Sequence, residues 1–204
     1  MMAATVSMIT LALTWAYLLT FLALTMRASR VAGRGVDYFS RPVGSQRWTA
    51  LLFKFGFIGS GAWGLVGILY PNLWPQLPDS LGWYAWLGLG FMLVGAFIAV
   101  GAQLQMAGSW RIGAVEGTLG ALVTGGFFAL SRNPVFVGQM TLFLGLAMFQ
   151  LDPVQVILSA CVWIAAIWQV RIEEPVLVRS LGQAYQAYAT QTPRWLGFIK
   201  GSKR

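Results

Sequence analysis

The chain has 204 residues, of which 57% are hydrophobic and only 10% are charged, and its mean hydropathy is +0.67. A soluble domain is about 25% charged, so the composition excludes an ordinary soluble globule and points to a membrane protein. With no His and a single Cys, Cys161, the sequence also excludes a His-based triad, a Cys/His zinc site and an internal disulfide, and no metal site is expected.

Ten Trp and 24 Gly fit the membrane class, because Trp collects at membrane interfaces and Gly is common in transmembrane helices. The formal charge of +8 admits a nucleic-acid partner, but the positions of the charges favour a membrane surface instead.

Residues 5–26 carry no charge and are long enough to span a bilayer. They lack a basic leader, so they read as a retained anchor and not as a signal peptide. Residues 27–47 hold Arg27, Arg30, Arg34, Arg41 and Arg47 against Asp37 alone. Gly33, Gly35, Pro42 and Gly44 interrupt this stretch, which predicts a loop or a surface-lying segment beside anionic lipid. Residues 49–70 form a second span, with Lys54 placed to snorkel toward the headgroups. Gly56, Ser60 and Gly64 recur on one face of it, which lets another helix approach closely.

Residues 71–80 form a Pro-rich turn without Lys or Arg, and 81–104 a third span. Gly88-Leu89-Gly90 lies inside that span with no strand before it, so it carries no dinucleotide signal. Residues 105–133 read as a surface loop, partly inserted. Residues 134–151 form a fourth apolar helix, with Asn133 as N-cap and Pro134 at its first position. Asp152-Pro153 repeats the arrangement ahead of a fifth, residues 153–170. The two together predict a tight helical hairpin. Pro175 disfavours helical geometry at Glu174. A break is therefore expected there, followed by an amphipathic helix over 175–190 with Leu177, Leu181, Ala184, Tyr185 and Tyr188 on one face.

The predicted fold is all-α: a polytopic membrane protein with about five transmembrane helices, a hairpin over 134–170 and a C-terminal amphipathic helix on the cytoplasmic side. Residues 1–104 form an N-terminal three-helix region and 105–204 a C-terminal functional region. Every Lys and Arg except Lys54 then falls on one side of the membrane. The positive-inside rule places that side in the cytoplasm and the N-terminus outside. The expected location is an integral protein of a bacterial inner membrane. The sequence carries no signal for an oligomeric state.

The conspicuous polar groups gather at the cytoplasmic ends: Arg111, Thr124, Arg132, Asn133, Arg171, Glu173, Glu174, Tyr185 and Tyr188. A hairpin brings Arg132 and Asn133 next to Arg171, Glu173 and Glu174. Free backbone N–H groups at the start of the fourth helix suit a carboxylate. The facing carboxylates suit an amine, ribose hydroxyls or a cation. The plainer reading of each residue is an interfacial anchor or an ion pair.

Several motifs occur in order: Leu122-Val123-Thr124-Gly125-Gly126-Phe127, Arg132-Asn133-Pro134-Val135-Phe136, Glu173-Glu174, Leu181-Gly182 with Tyr185 and Tyr188, and Pro193-Arg194-Trp195. In order and spacing they resemble the isoprenylcysteine carboxyl methyltransferase and phospholipid methyltransferase superfamily over residues 108–196. The resemblance implies an integral-membrane enzyme using S-adenosylmethionine on a lipid or lipophilic small molecule, with a cofactor pocket covered by the C-terminal helix. It carries cofactor contacts to Thr124, Gly126, Arg132, Asn133, Pro134, Phe136, Glu174 and Tyr188. The chain departs from the family pattern at Asn133, where the family has His, and at Phe136, where it has Tyr. Asn cannot titrate, so no His-based proton transfer carries over.

Methyl transfer from a sulfonium needs chiefly alignment and exclusion of water. An amine or thiol acceptor also needs a proton removed. Glu173 is the first candidate for that role, then Tyr185 or Tyr188, while Arg171 would orient an anionic acceptor. The competing readings are an NADPH-dependent membrane reductase and a non-catalytic scaffold.

Overall fold

The computed structural model describes residues 2–39, 42, 44–70, 82–113, 117 and 119–197, with the side chains of 2–7 excepted. The helices are α1 (Met2–Ala32), α2 (Gln46–Leu69), α3 (Trp83–Met106), a short α4 (Phe127–Leu130), α5 (Pro134–Gln150) and α6 (Pro153–Gln191). The fold is all-α, and the described residues contain no strand. One bridge between Asp37 and Ile112 ties the α1–α2 loop to the segment after α3. The expected turn at 71–80 and the basic tail at 200–204 lie outside the described residues.

Each long helix follows an apolar run, and four are long and apolar enough to cross a membrane: α1, α2, α3 with its 3-10 continuation, and the apolar part of α6. The fifth apolar helix, α5, has 17 residues. At ~1.5 Å rise per residue it is shorter than the ~30 Å hydrocarbon layer. Exposed apolar side chains such as Leu19, Leu22, Phe55, Ile58, Phe97 and Ile157 face outward, where lipid would meet them.

α5 packs mainly on α3, and α6 mainly on α2, so the two arms of the hairpin have different principal partners. Glycines make both contacts close. A Cβ on Gly95 would lie 2.3 Å from the Leu142 nitrogen, and one on Gly138 would lie 2.4 Å from the Ala99 nitrogen. Gly88 and Gly145 meet in the same way one layer along, so Gly88 serves packing. On α2, Gly56 faces the backbone of Leu158 on α6, and Gly64 faces Leu11 of α1. The small-residue face of α2 is thus shared between two neighbours.

At the hairpin turn, Leu151 is left-handed and Asp152 caps α6 by accepting from the Val154 and Gln155 nitrogens. Asp152 also accepts from Trp63 Nε1 at 2.6 Å, which fastens this end of α6 to α2. Asn133 occupies the N-cap position of α5 as expected, but its side chain makes no capping bond and instead donates to the Arg194 carbonyl. Lys54 reaches the α1–α2 loop, where its Nζ donates to the Phe39 carbonyl at 2.8 Å. α1 carries Arg27 and Arg30 on helix and not in the loop, ending at Gly33 with φ of 62°.

The largest departure concerns α6. The helix runs through Pro175 without a break and is interrupted at Gly182, with φ of 55° and ψ of −131°. Proline removes one helical N–H, but Pro175 is exposed, so the carbonyl left without that donor can be hydrated. The apolar run in α6 ends at Val170. The helix therefore leaves the membrane layer and extends well past it before turning.

Candidate active site

The end of the bundle that carries the arginines holds a cavity with about 910 Å³ of empty space, part of it open to solvent. Its walls come from both halves of the chain: Phe21 and Phe53 of α1 and α2, residues 110–113 and 119–123, the start of α5, and the second half of α6. One apolar core joins these parts, with Tyr17, Phe21 and Phe57 in contact with the same cluster as Phe143, Val162 and Tyr185. A mostly apolar lining with a few charged and polar side chains is the make-up of a small-molecule pocket.

Of the residues expected to bind or act, Arg132, Asn133, Pro134, Phe136, Glu173, Tyr185 and Tyr188 line this cavity. The turn before α5 is held by the chain after α6. The Arg132 nitrogen donates to the Pro193 carbonyl at 2.9 Å. Asn133 Nδ2 and Ser131 Oγ both donate to the Arg194 carbonyl, at 3.0 and 3.3 Å. Tyr188 donates its hydroxyl to the Phe128 carbonyl at 2.6 Å. The Arg-Asn-Pro and Pro-Arg motifs, some sixty residues apart (Asn133 and Arg194 are 61 apart), are two sides of one corner.

The two glutamates have different surroundings. Glu173 lines the cavity, where Gln169 Nε2 donates to it at 2.9 Å. Gln169 is itself held by Thr49 and Gln46. Burial pushes the Glu173 carboxyl above its ordinary range, and Arg111 and Gln169 pull it partly back. Glu174 is absent from the cavity lining. It pairs with Arg132 at 3.3 Å and accepts from Arg194 Nε at 3.0 Å. Arg171 is exposed and lines a separate outer cleft with Glu174, Arg179 and Arg194, so it is not brought to Glu173's cavity.

Thr124 and Gly126 are exposed and do not line the cavity. Gly126 has φ of 55°, and Gln105 folds over it, donating to the Gly125 carbonyl and accepting from the Phe127 nitrogen. Its position is set by the turn into α4. Burial pushes the Tyr185 hydroxyl upward, reinforced by Glu174, and burial does the same for Tyr188. Tyr188 donates its hydroxyl to the Phe128 carbonyl, and the Tyr185 hydroxyl accepts from Arg132.

Trp110, Gly113 and Gln139 line the cavity and lie outside the motifs. Arg111 and Arg132 each have a buried Nε without a hydrogen-bond partner, and both line the cavity. Gln139 lines it from α5. Trp110 stands in the wall with Nε1 donating to Thr25 at 3.0 Å. Gly113, at φ of 85°, leaves room for the Gln46 amide, which a Cβ would meet at 2.9 Å. For Gln139, the available signal was an isolated Gln within an apolar helix.

The fold and cavity define a helical membrane protein with a pocket that carries charge at its arginine end and is mostly apolar within. Residues 83–184, half of the chain, match the phospholipid methyltransferase family, and the chain belongs to that family. Over 133 residues it is 26% identical to protein-S-isoprenylcysteine O-methyltransferase of Mus musculus, covering 64% of this chain and 47% of that protein. The Rattus norvegicus protein of the same name is also 26% identical, with 46% of it covered. The chain thus spans about half the length of the curated relatives it matches. The structure of the eukaryotic intramembrane Ras methyltransferase, isoprenylcysteine carboxyl methyltransferase, superposes with a TM-score of 0.55 at 19% identity, over 95% of this chain and 69% of that one. At that identity the likeness is one of fold. The reductase and scaffold readings gain no support.

Proposed function

We propose that this protein is an integral-membrane methyltransferase that moves a methyl group from S-adenosylmethionine to a lipid or small lipophilic acceptor. The observation that supports this most is the pair of unpartnered guanidinium nitrogens, Arg111 Nε and Arg132 Nε, in the same cavity as the Glu173 carboxylate. An amino-acid cofactor with a carboxylate, an ammonium and a ribose fits that donor and acceptor set. The arginines would hold its carboxylate, and Glu173 its amine or hydroxyls. Leu177, Leu181 and Tyr185 offer apolar surface for its base.

When bound, the cofactor supplies a methyl group already activated on a sulfonium. The chain's own contribution is alignment and a dry wall. Where the acceptor carries a proton, the Glu173 carboxylate is placed to receive it, and its raised affinity for protons suits the role. Glu174 acts at one remove, by fixing Arg132 and tying Arg194 across the corner. The C-terminal half of the chain supplies the cofactor end and the first three helices much of the acceptor wall. The arginine-rich end faces the cytoplasm of a bacterial inner membrane, by the positive-inside rule.

The test is thermal stability of the detergent-purified protein with S-adenosylmethionine, with NADPH as control. A ligand at ~100 times its Kd stabilises the folded state by about 2.7 kcal/mol, so the midpoint should rise with S-adenosylmethionine and not with NADPH. No rise at millimolar S-adenosylmethionine would sink the reading. Labelled-methyl transfer into a lipid extract then identifies the acceptor class.

A further inference from the structure

The cavity contains a polar group to which the cofactor reading above gives no role. Gln139 is 1% exposed, lines the cavity, and its Oε1 has no hydrogen-bond partner. The Tyr17 hydroxyl lies beside this carboxamide, yet neither oxygen makes a hydrogen bond of normal geometry. Gln139 sits five residues beyond Pro134 in α5. That is ~7 Å further along the helix axis than the Arg132 corner.

The same cavity has aromatic walls. Phe21 packs on Phe53 with ring centroids 6.4 Å apart, and edge-on against Trp110 at 5.8 Å. α5 contains no charged residue. Leu or Met would fill the position without leaving a buried polar atom unpaired, which is costly. A carboxamide retained there needs a partner, and the space it borders is the cavity.

We propose that Gln139 binds the polar group of the methyl acceptor, and that the acceptor is an uncharged lipophile bearing a hydroxyl or thiol; this rests on the methyltransferase reading above. A carboxamide both donates and accepts, so it matches either role of such a group. An ion at the same depth would meet aromatic walls and a neutral amide, with no counter-charge on α5, and its desolvation would go uncompensated.

The test uses three probes of one chain length, 1-dodecanol, dodecane and dodecylamine, each at the same mole fraction in nanodiscs holding the full chain. Bound lipophile is counted by native mass spectrometry. The wild-type protein should prefer dodecanol to dodecane by roughly fivefold, the weight of one net hydrogen bond. Gln139→Leu should bind dodecane as the wild type does and lose the preference for dodecanol. Gln139→Glu should gain a preference for dodecylamine over dodecanol, a gain that misfolding cannot imitate. If Gln139→Leu fails to bind dodecane, Gln139→Met carries the same comparison. A dodecanol preference that survives the apolar variant, its absence in the wild type, or no amine preference in Gln139→Glu overturns the proposal. No S-adenosylmethionine is present, so failure of the methyltransferase reading would appear only in the cofactor heat shift, and failure of Gln139 only here.

Discussion

Glu173 and Glu174 are neighbours in sequence and about 100° apart around the helix, and that angle separates their roles. Glu173 turns into the cavity against Gln169, and Glu174 turns out to Arg132 and Arg194. Because burial raises the Glu173 pKa, the folded state holds its proton more tightly than the unfolded state. Stability from this group is full below the ordinary carboxyl pKa and falls as pH rises from there through the raised folded value. Glu173→Gln should therefore melt at or above the wild-type temperature at pH 8 and show a flatter pH dependence of melting in the apo form. It should also lose methyl transfer to acceptors that begin protonated. A wild-type-like pH profile in the variant would refute the assignment. Glu174→Ala should express normally and weaken the S-adenosylmethionine heat shift by freeing Arg132. An unchanged shift would show that the pair with Arg132 does not organise the pocket. The sequence made both carboxylates visible, since each is a charge just beyond an apolar run. Their division was not legible, because it depends on which way α6 is rotated against α2, and the contacts of Gln169 with Thr49 and Gln46 decide that.

Pro175 and Gly182 were both available as places for α6 to turn, and the proline drew the expectation. The helix turns at the glycine because a missing N–H on an exposed face is replaced by water, whereas the change of direction needs a positive φ that L side chains rarely adopt. Nothing lies within 4 Å of a Cβ placed on Gly182, so Gly182→Ala would cost backbone strain alone, about 1–3 kcal/mol. It should lower the melting temperature by a few degrees and loosen the Tyr185–Tyr188 turn over the cavity, which S-adenosylmethionine titration would read as weaker binding. Pro175→Ala restores an amide to a helix that is already continuous, so it should leave that binding unchanged. The reverse pattern, with Pro175→Ala weakening binding and Gly182→Ala silent, would place the functional hinge at the proline. Hydropathy located five apolar helices to within a few residues, because burial in lipid acts on long runs. It could not rank two competing breakers, nor reveal that α5 leans on α3 through Gly95 and Gly138 and not chiefly on its hairpin partner.

For the molecule as a whole the charge asymmetry is the dominant feature. Every Lys and Arg but Lys54 lies at one end of the bundle in the predicted topology, and the cavity opens among those at Arg111 and Arg132. In the sequence this asymmetry sums over the whole chain and tolerates boundary errors of several residues. The opposite end is marked by Asp152, bonded to Trp63. Charge repulsion from the cytoplasmic leaflet and attraction of arginine to it act in the same direction, so the topology should be single and not mixed. It can be tested with a Cys161→Ala background, since Cys161 is the one native thiol. Tyr70, 60% exposed at the far end of α2, and Ser45, exposed just before α2, are the two reporter positions. A membrane-impermeant maleimide should label Tyr70→Cys in cells whose inner membrane is intact, and Ser45→Cys only once that membrane is opened. Labelling in the opposite order would turn the cavity's charged end away from the cytoplasm. A cofactor made in the cytoplasm could then not reach Arg111 and Arg132 from that side, and the functional reading would fail with the topology.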